Sequence, residues 1–154
     1  MNKSWGYTVK DVSYKTSDEL IRYLISTSGK GANLLLNIGP QPNGEIPAAA
    51  LERLKAMGAW LRKYGDTIYG TTAGEIAAQD WGVTTRKGDR LFIHILSHKE
   101  KSLHLPLSRE VTDAKLFDGD SSVRFEKDPD GKGITLLLDE IPSGTDYIIE
   151  LKTR

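Results

Sequence analysis

The chain has no cysteine among its 154 residues, which removes disulfide frameworks, thiol nucleophiles and cysteine-based zinc or iron–sulfur sites. Charge of one sign is equally lacking. The 21 Lys and Arg residues balance 21 Asp and Glu, so no global field holds a polyanion or an anionic surface, and neither nucleic acid nor a membrane is expected as a partner. No apolar stretch approaches the ~20 residues of a membrane span. No apolar segment of the kind found in signal peptides follows Met1, which runs directly into Asn2-Lys3-Ser4-Trp5-Gly6-Tyr7. The length also excludes a complete (β/α)₈ barrel, which takes about 250 residues. What remains is a composition of 38% hydrophobic and 27% charged residues, enough apolar material for one ordinary domain or two small ones.

The two parts of the chain differ in pattern. Up to Gly70 there are nine basic and six acidic residues, and after it 12 and 15. In the first part, Thr16 and Glu19 have the spacing of a capping box, in which each side chain satisfies a free backbone N–H of the other residue. A helix is expected from there to Ser28, with Leu20, Ile21, Leu24 and Ile25 at helical spacing and Gly29 and Gly31 ending it. The run Asn33-Leu-Leu-Leu-Asn-Ile38 lacks alternation and reads as a strand buried on both faces. Gln41-Pro42-Asn43-Gly44 is turn chemistry, and Pro47 suits the first turn of a second helix. That helix carries Leu51, Leu54, Met57, Trp60 and Leu61 on one stripe and closes at Gly65.

Beyond Gly70 the apolar period becomes two residues. Residues 90–96, 102–107, 114–117, 123–125, 133–138 and 147–151 are short strand candidates. They are separated by turns at Lys87-Gly88-Asp89, Asp118-Gly119-Asp120, Asp128-Pro129-Asp130-Gly131 and Pro142-Ser143-Gly144. This spacing predicts a small antiparallel sandwich or barrel.

Several words in the chain point further: Ser4-Trp5-Gly6-Tyr7, Asn33-Leu34-Leu35-Leu36-Asn37-Ile38-Gly39-Pro40, Gly44-Glu45-Ile46-Pro47, Trp60-Leu61, Tyr64-Gly65 and Ile68-Tyr69-Gly70. In this order and at this spacing the sequence resembles the retaining α-L-fucosidases of glycoside hydrolase family 29. The resemblance covers the whole chain. It implies an α/β plus all-β fold, with residues 1–72 as the last elements of a (β/α)₈-like catalytic barrel and residues 73–154 as a C-terminal antiparallel β-sandwich. It implies a parent enzyme that removes terminal α-L-fucose from fucosylated glycans without a cofactor, and that is secreted, periplasmic or lysosomal. Barrel active sites lie on the loops after the strands, so Asn37, Gly39 and the loop through Glu45 are the stretch nearest to chemistry.

Retaining glycosidases need two carboxyl groups about 5–5.5 Å apart, one nucleophilic and one serving as acid and then base. No residue here matches the family's nucleophile motif. The family's acid/base glutamate lies either just before the Trp-Gly-Tyr word or on the loop after it. In this chain that loop, residues 8–15, offers only Asp11, for which a capped or solvated loop role is expected. The chain is therefore read as a C-terminal fragment, Met1 being an internal methionine of a longer protein, and as inactive by itself. Trp5, Tyr7 and Asn37 are the candidate substrate-binding residues. Aromatic faces pack on the apolar side of a pyranose, and Asn37, like Asn33, can bond either a ligand or a loop backbone. Leu34 and Glu45 are assigned to packing and to the start of the second helix.

His94, His98 and His104 lack tight ligand spacing, and the two acidic turns lack a distal bidentate glutamate, so no metal site is expected. The sandwich is either a brace for the barrel or a glycan-binding module. Its aromatic residues Trp81, Phe92, Phe117, Phe125 and Tyr147 mostly occupy alternating positions expected to face a core, which favours the brace. Without most of a barrel around them, Leu20, Leu24, Leu35, Leu54 and Trp60 are expected to be partly bare, leaving residues 1–70 less stable or self-associated.

Overall fold

The computed structural model describes residues 1–119 and 121–154, so the Asp120 end of the acidic turn at 118–120 lies outside the described residues. Helix α1 spans Ser17–Gly29 behind the capping box of Thr16 and Glu19. Helix α2 spans Ala48–Tyr64, preceded by Pro47 and followed by the single 3-10 turn Gly65–Thr67. Among the described residues eight strands follow: β1 Thr72–Ala73, β2 Gly82–Lys87, β3 Arg90–Ile95, β4 Ser102–Leu105, β5 Val111–Leu116, β6 Arg124–Lys127, β7 Ile134–Leu137 and β8 Tyr147–Thr153. All pairings are antiparallel. One sheet has the order β1-β2-β3-β8-β5 and the other the order β4-β7-β6.

The two sheets close over a core of alternating residues, among them Leu91, Ile93, Leu105, Leu136, Ile149 and Leu151, with Trp81, Phe125 and Tyr147 packed at its margin. Alternation sends the intervening residues of the five-stranded sheet to its other face. There Val83, Phe92 and Ile148 form a second core with Leu20, Ile21 and Ile25 of α1 and Ala50, Met57 and Trp60 of α2. The molecule is thus three layers, with the five-stranded sheet in the middle. A chain of aromatic rings crosses from α2 to this sheet, Trp60 to Tyr64 to Phe117 to Phe92, with centroids 5.4, 6.1 and 5.8 Å apart.

This third layer corrects two expectations. Leu20 and Trp60 are buried, because the outer face of the five-stranded sheet covers them. Burying each is worth about 1.5–3 kcal/mol. Leu24 and Leu54 are half-buried at the edge of the same core, and Leu35 alone of the five is bare, at 86% exposure. Residues 33–38 form no strand among the described residues. The segment still alternates, with Leu34, Leu36 and Ile38 packed on the helical core and Leu35 turned outward. A parallel strand needs neighbours to bond to, and none lies beside it among the described residues.

Candidate functional site

The N-terminal loop is shaped by one carboxylate. Asp11 Oδ2 accepts from the backbone N–H groups of Lys3 at 3.0 Å and Ser4 at 2.8 Å, while Oδ1 accepts from Ser13 N–H at 3.2 Å. The N–H of Ser4 above all, with those of Ser13 and Lys3, holds the Asp11 carboxyl below the usual carboxylate range, since each bond favours the charged form. Asp11 is therefore an acceptor committed to its own loop, as expected for a capping aspartate.

On the other side, Asn37 fastens this loop to the segment before α2. Its Nδ2 donates to the carbonyl of Trp5 at 2.7 Å, and its own carbonyl accepts from the Met1 ammonium at 3.2 Å. Gly39 completes the seat. A Cβ at this position would fall 2.6 Å from Tyr7 N and 2.7 Å from Gly6 C, so the loop backbone lies directly against it. The structure thus brings Trp5, Tyr7 and Asn37 together, through contacts made by the loop backbone. The indole of Trp5 is left 80% exposed and Tyr7 37%. A bare aromatic side chain on a backbone anchored at both ends is a ready stacking platform.

Glu45 bonds back to its own turn, with Asn43 Nδ2 donating to its Oε2 at 2.9 Å. A cleft of about 440 Å³ lies elsewhere, beside Trp60 and Tyr64 of α2 and the segment before β8, and is also lined by Asp118, Glu140 and Asp146. Its carboxylates do not form a free pair. Asp118 accepts from Lys63 and, at 3.1 Å, from the Tyr64 hydroxyl. The Lys63 ammonium first, and then that hydroxyl, hold Asp118 below the usual range. Asp146 is bonded to His94 at 2.8 Å.

The three histidines stay apart. His94 is fully buried, whereas His98 bonds the Ser102 carbonyl and His104 pairs with Asp128 at 2.9 Å, both at the surface. Among the described residues no group of three or more His, Asp or Glu side chains is placed to hold a metal ion, and no helix is long and apolar enough to cross a membrane. The seat at Gly39 is a feature that spacing alone does not reveal. The signal was the pair Gly39-Pro40, separated from Asn37 by Ile38, and it ends the apolar run at the point where another backbone must pass.

Residues 1–66 match a family model described as alpha-L-fucosidase. The tissue alpha-L-fucosidase of Homo sapiens is 31% identical over 156 residues, covering 90% of this chain and 31% of that protein. The plasma alpha-L-fucosidase of the same organism is 44% identical over 72 residues, covering 44% of this chain and 15% of the relative. Among solved structures, alpha-L-fucosidase isoenzyme 1 from Paenibacillus thiaminolyticus superposes with a TM-score of 0.87 at 32% identity, over 99% of this chain and 38% of that one. The Thermotoga maritima alpha-fucosidase gives 0.82 at 29% identity, over 98% and 38%. The chain spans about a third of the length of the curated relatives it matches along most of its own, and it corresponds to the C-terminal part of the fucosidase structures.

Proposed function

The chain belongs to the α-L-fucosidase family, and from that premise we propose that it is the C-terminal portion of an exo-acting enzyme that releases terminal α-L-fucose from glycans by retaining double displacement. In this reading residues 1–72 are the end of the catalytic barrel and residues 73–154 the sandwich that supports it. Both catalytic carboxylates belong to the remainder of the family's length, and the chain by itself is silent. The observation that carries this reading is the state of Asp11. It is the one carboxylate on the loop after the Trp-Gly-Tyr word, and it accepts three backbone N–H bonds, whereas a nucleophile or proton donor must face the glycosidic bond. Trp5 and Tyr7 then supply an aromatic wall to the fucose site, and Asn37 sets its position.

For the sandwich, bracing is favoured over glycan binding. Phe92 and Phe117 are taken up by the helical core, and Trp81, Phe125 and Tyr147 pack against the inter-sheet core. Among the described residues after Ala73, the exposed large apolar side chain is Ile141, so no coplanar aromatic platform is offered to a sugar.

The test is an assay of the purified chain on an aryl α-L-fucoside, beside a version extended through the rest of the barrel. No turnover by the chain and clear turnover by the longer protein are expected. Turnover by the 154-residue chain would refute the reading, and so would an extended protein that is folded yet inert toward fucosides.

A further inference from the structure

His94 is the penultimate residue of β3, with its imidazole fully buried beneath the helices. Both ring nitrogens are engaged: Nδ1 is 2.8 Å from Asp146 Oδ2, and Nε2 is 3.2 Å from Thr85 Oγ1. The hydroxyl of Thr85 donates to the carbonyl of Thr67 at 2.7 Å. A hydroxyl has one proton to give, so Nε2 must carry its own and donate it to Thr85. At Nδ1, a bare imidazole lone pair facing a bare carboxylate at 2.8 Å would be repulsive, so a proton lies between these atoms as well. Hydrogen-bond accounting, the only basis for assigning such protons, therefore gives the pair one proton more than a neutral imidazole beside a carboxylate.

The residues around Asp146 extend this relay to α1. Arg22 Nε donates to the Thr145 carbonyl at 3.0 Å and Nη2 to the Gly144 carbonyl at 2.9 Å, while the Thr145 hydroxyl donates to Asp18 at 2.5 Å. Residues 144–146 thus form a strap gripped by α1 on one side and by His94 on the other. Thr67 closes the path at the turn immediately after α2. Apart from the exposed bonds of Asp118 with Lys63 and Tyr64 and of Asp66 with Lys87 and Arg90, the remaining helix–sheet contacts are largely apolar, and apolar burial is non-directional. Directional bonds in a buried site favour one arrangement, and here they run through Asp146 Oδ2 while Asp146 Oδ1 is buried without a partner among the described residues.

We propose that Thr67, Thr85, His94 and Asp146, with the strap Gly144–Thr145, form a proton-bearing latch that sets the register of the helical layer, and with it the Trp5–Asn37 seat, on the sandwich. The latch stands independently of the fucosidase reading, since it rests on this chain's own bonds. Its test uses the full chain. In ¹⁵N NMR at neutral pH, both His94 ring nitrogens are expected to carry protons. Hydrogen exchange is then followed in Thr85→Val, which is isosteric, in His94→Phe and in Asp146→Asn. Thr85→Val and His94→Phe should speed exchange of α1 and α2 amides about ten- to a hundred-fold, with little change in β4 and β7. Asp146→Asn should keep wild-type protection, because its amide can donate to an Nδ1 that no longer needs a proton. Should His94→Phe fail to fold, Thr85→Val and the wild-type spectrum still decide. A ring with Nε2 bare, helical amides unmoved in a folded Thr85→Val chain, or helices released by Asp146→Asn would each overturn the proposal.

Discussion

Gly29 rests directly on Val83: a Cβ added to the last residue of α1 would fall 2.5 Å from the Cβ of Val83 and 2.6 Å from its Cγ2. Val83 belongs to the core beneath the helices, and a β-branched side chain in a sheet has little freedom to turn away. Gly29→Ala is therefore expected to push α1 off the sheet and to destabilise the fold by about 1–3 kcal/mol. Urea denaturation followed by circular dichroism measures this. An unchanged midpoint would show that the seam between helix and sheet is loose.

Asp66, in the turn after α2, ties the helical layer to the strands through two cations. Its Oδ1 accepts from Lys87 at 2.6 Å and its Oδ2 from Arg90 at 2.5 Å. Lys87 first, and Arg90 next, hold the Asp66 carboxyl below its ordinary value. Because the folded value is the lower one, the stabilisation is complete above the unfolded value of about 3.9 and is lost as pH falls through the folded value. The side chain is 43% exposed, which limits the effect to about 0.2–1 kcal/mol. Asp66→Asn should accordingly be less stable than the parent at pH 7 and equal to it in strong acid. A difference that persists at pH 2 would assign the effect to packing instead.

Much of this fold was legible in the residues because local chemistry specified it. The capping box at Thr16 and Glu19 sets the start of α1, and the strand pattern read over residues 90–96 and 147–151 marks two central strands, β3 and β8. β2 escaped notice because Gly82-Val-Thr-Thr-Arg-Lys87 has only one strongly apolar residue. Its β-branched run was the available signal, since Val83 and Thr85 face the helices while the hydroxyl of Thr84 bonds back to the Ile76 carbonyl. The burial of Trp60 and Leu20 was not legible. Periodicity marks which face of an element is apolar, but not which other element meets it, and here the partner lies in the second half of the chain. For the site, the words Trp5-Gly6-Tyr7 and Asn37-Ile38-Gly39 marked the right segments. The bond from Asn37 to the Trp5 carbonyl and the contact of Gly39 with Tyr7 needed three dimensions.

That seat supports a sharper expectation about Trp5. Gly39→Ala sets a methyl against the backbone of Gly6 and Tyr7, which cannot rotate aside as a flexible side chain can. Asn37→Ala removes the donor to the Trp5 carbonyl. Both changes should leave the sandwich intact, shift the indole N–H resonance of Trp5, and increase fast motion of the 5–7 amides. Those of Trp60 and Trp81, which sit in other parts of the fold, should stay in place. Equal shifts at all three indoles would point to general loosening and not to a local seat.

The bare side of residues 33–38 leads to a prediction about association. Leu35 is 86% exposed while its neighbours Leu34 and Leu36 pack inward, and the segment is paired with no strand among the described residues. An apolar side chain on an extended segment that pairs with no strand is the pattern by which strand edges recruit another chain. Val9 and Val12 of the N-terminal loop, at 78% and 80% exposure, are further bare apolar side chains. In the full family fold we infer that the rest of the barrel covers this side, and that in its absence a second copy does. Sedimentation velocity over a range of concentrations should then show reversible self-association of the chain, weakened in Leu35→Lys. A lysine at that position adds like charge to both partners and interrupts the apolar edge, while touching none of the buried core. A chain that sediments as a monomer at every concentration would overturn the inference, and so would a Leu35→Lys variant that associates as strongly as its parent.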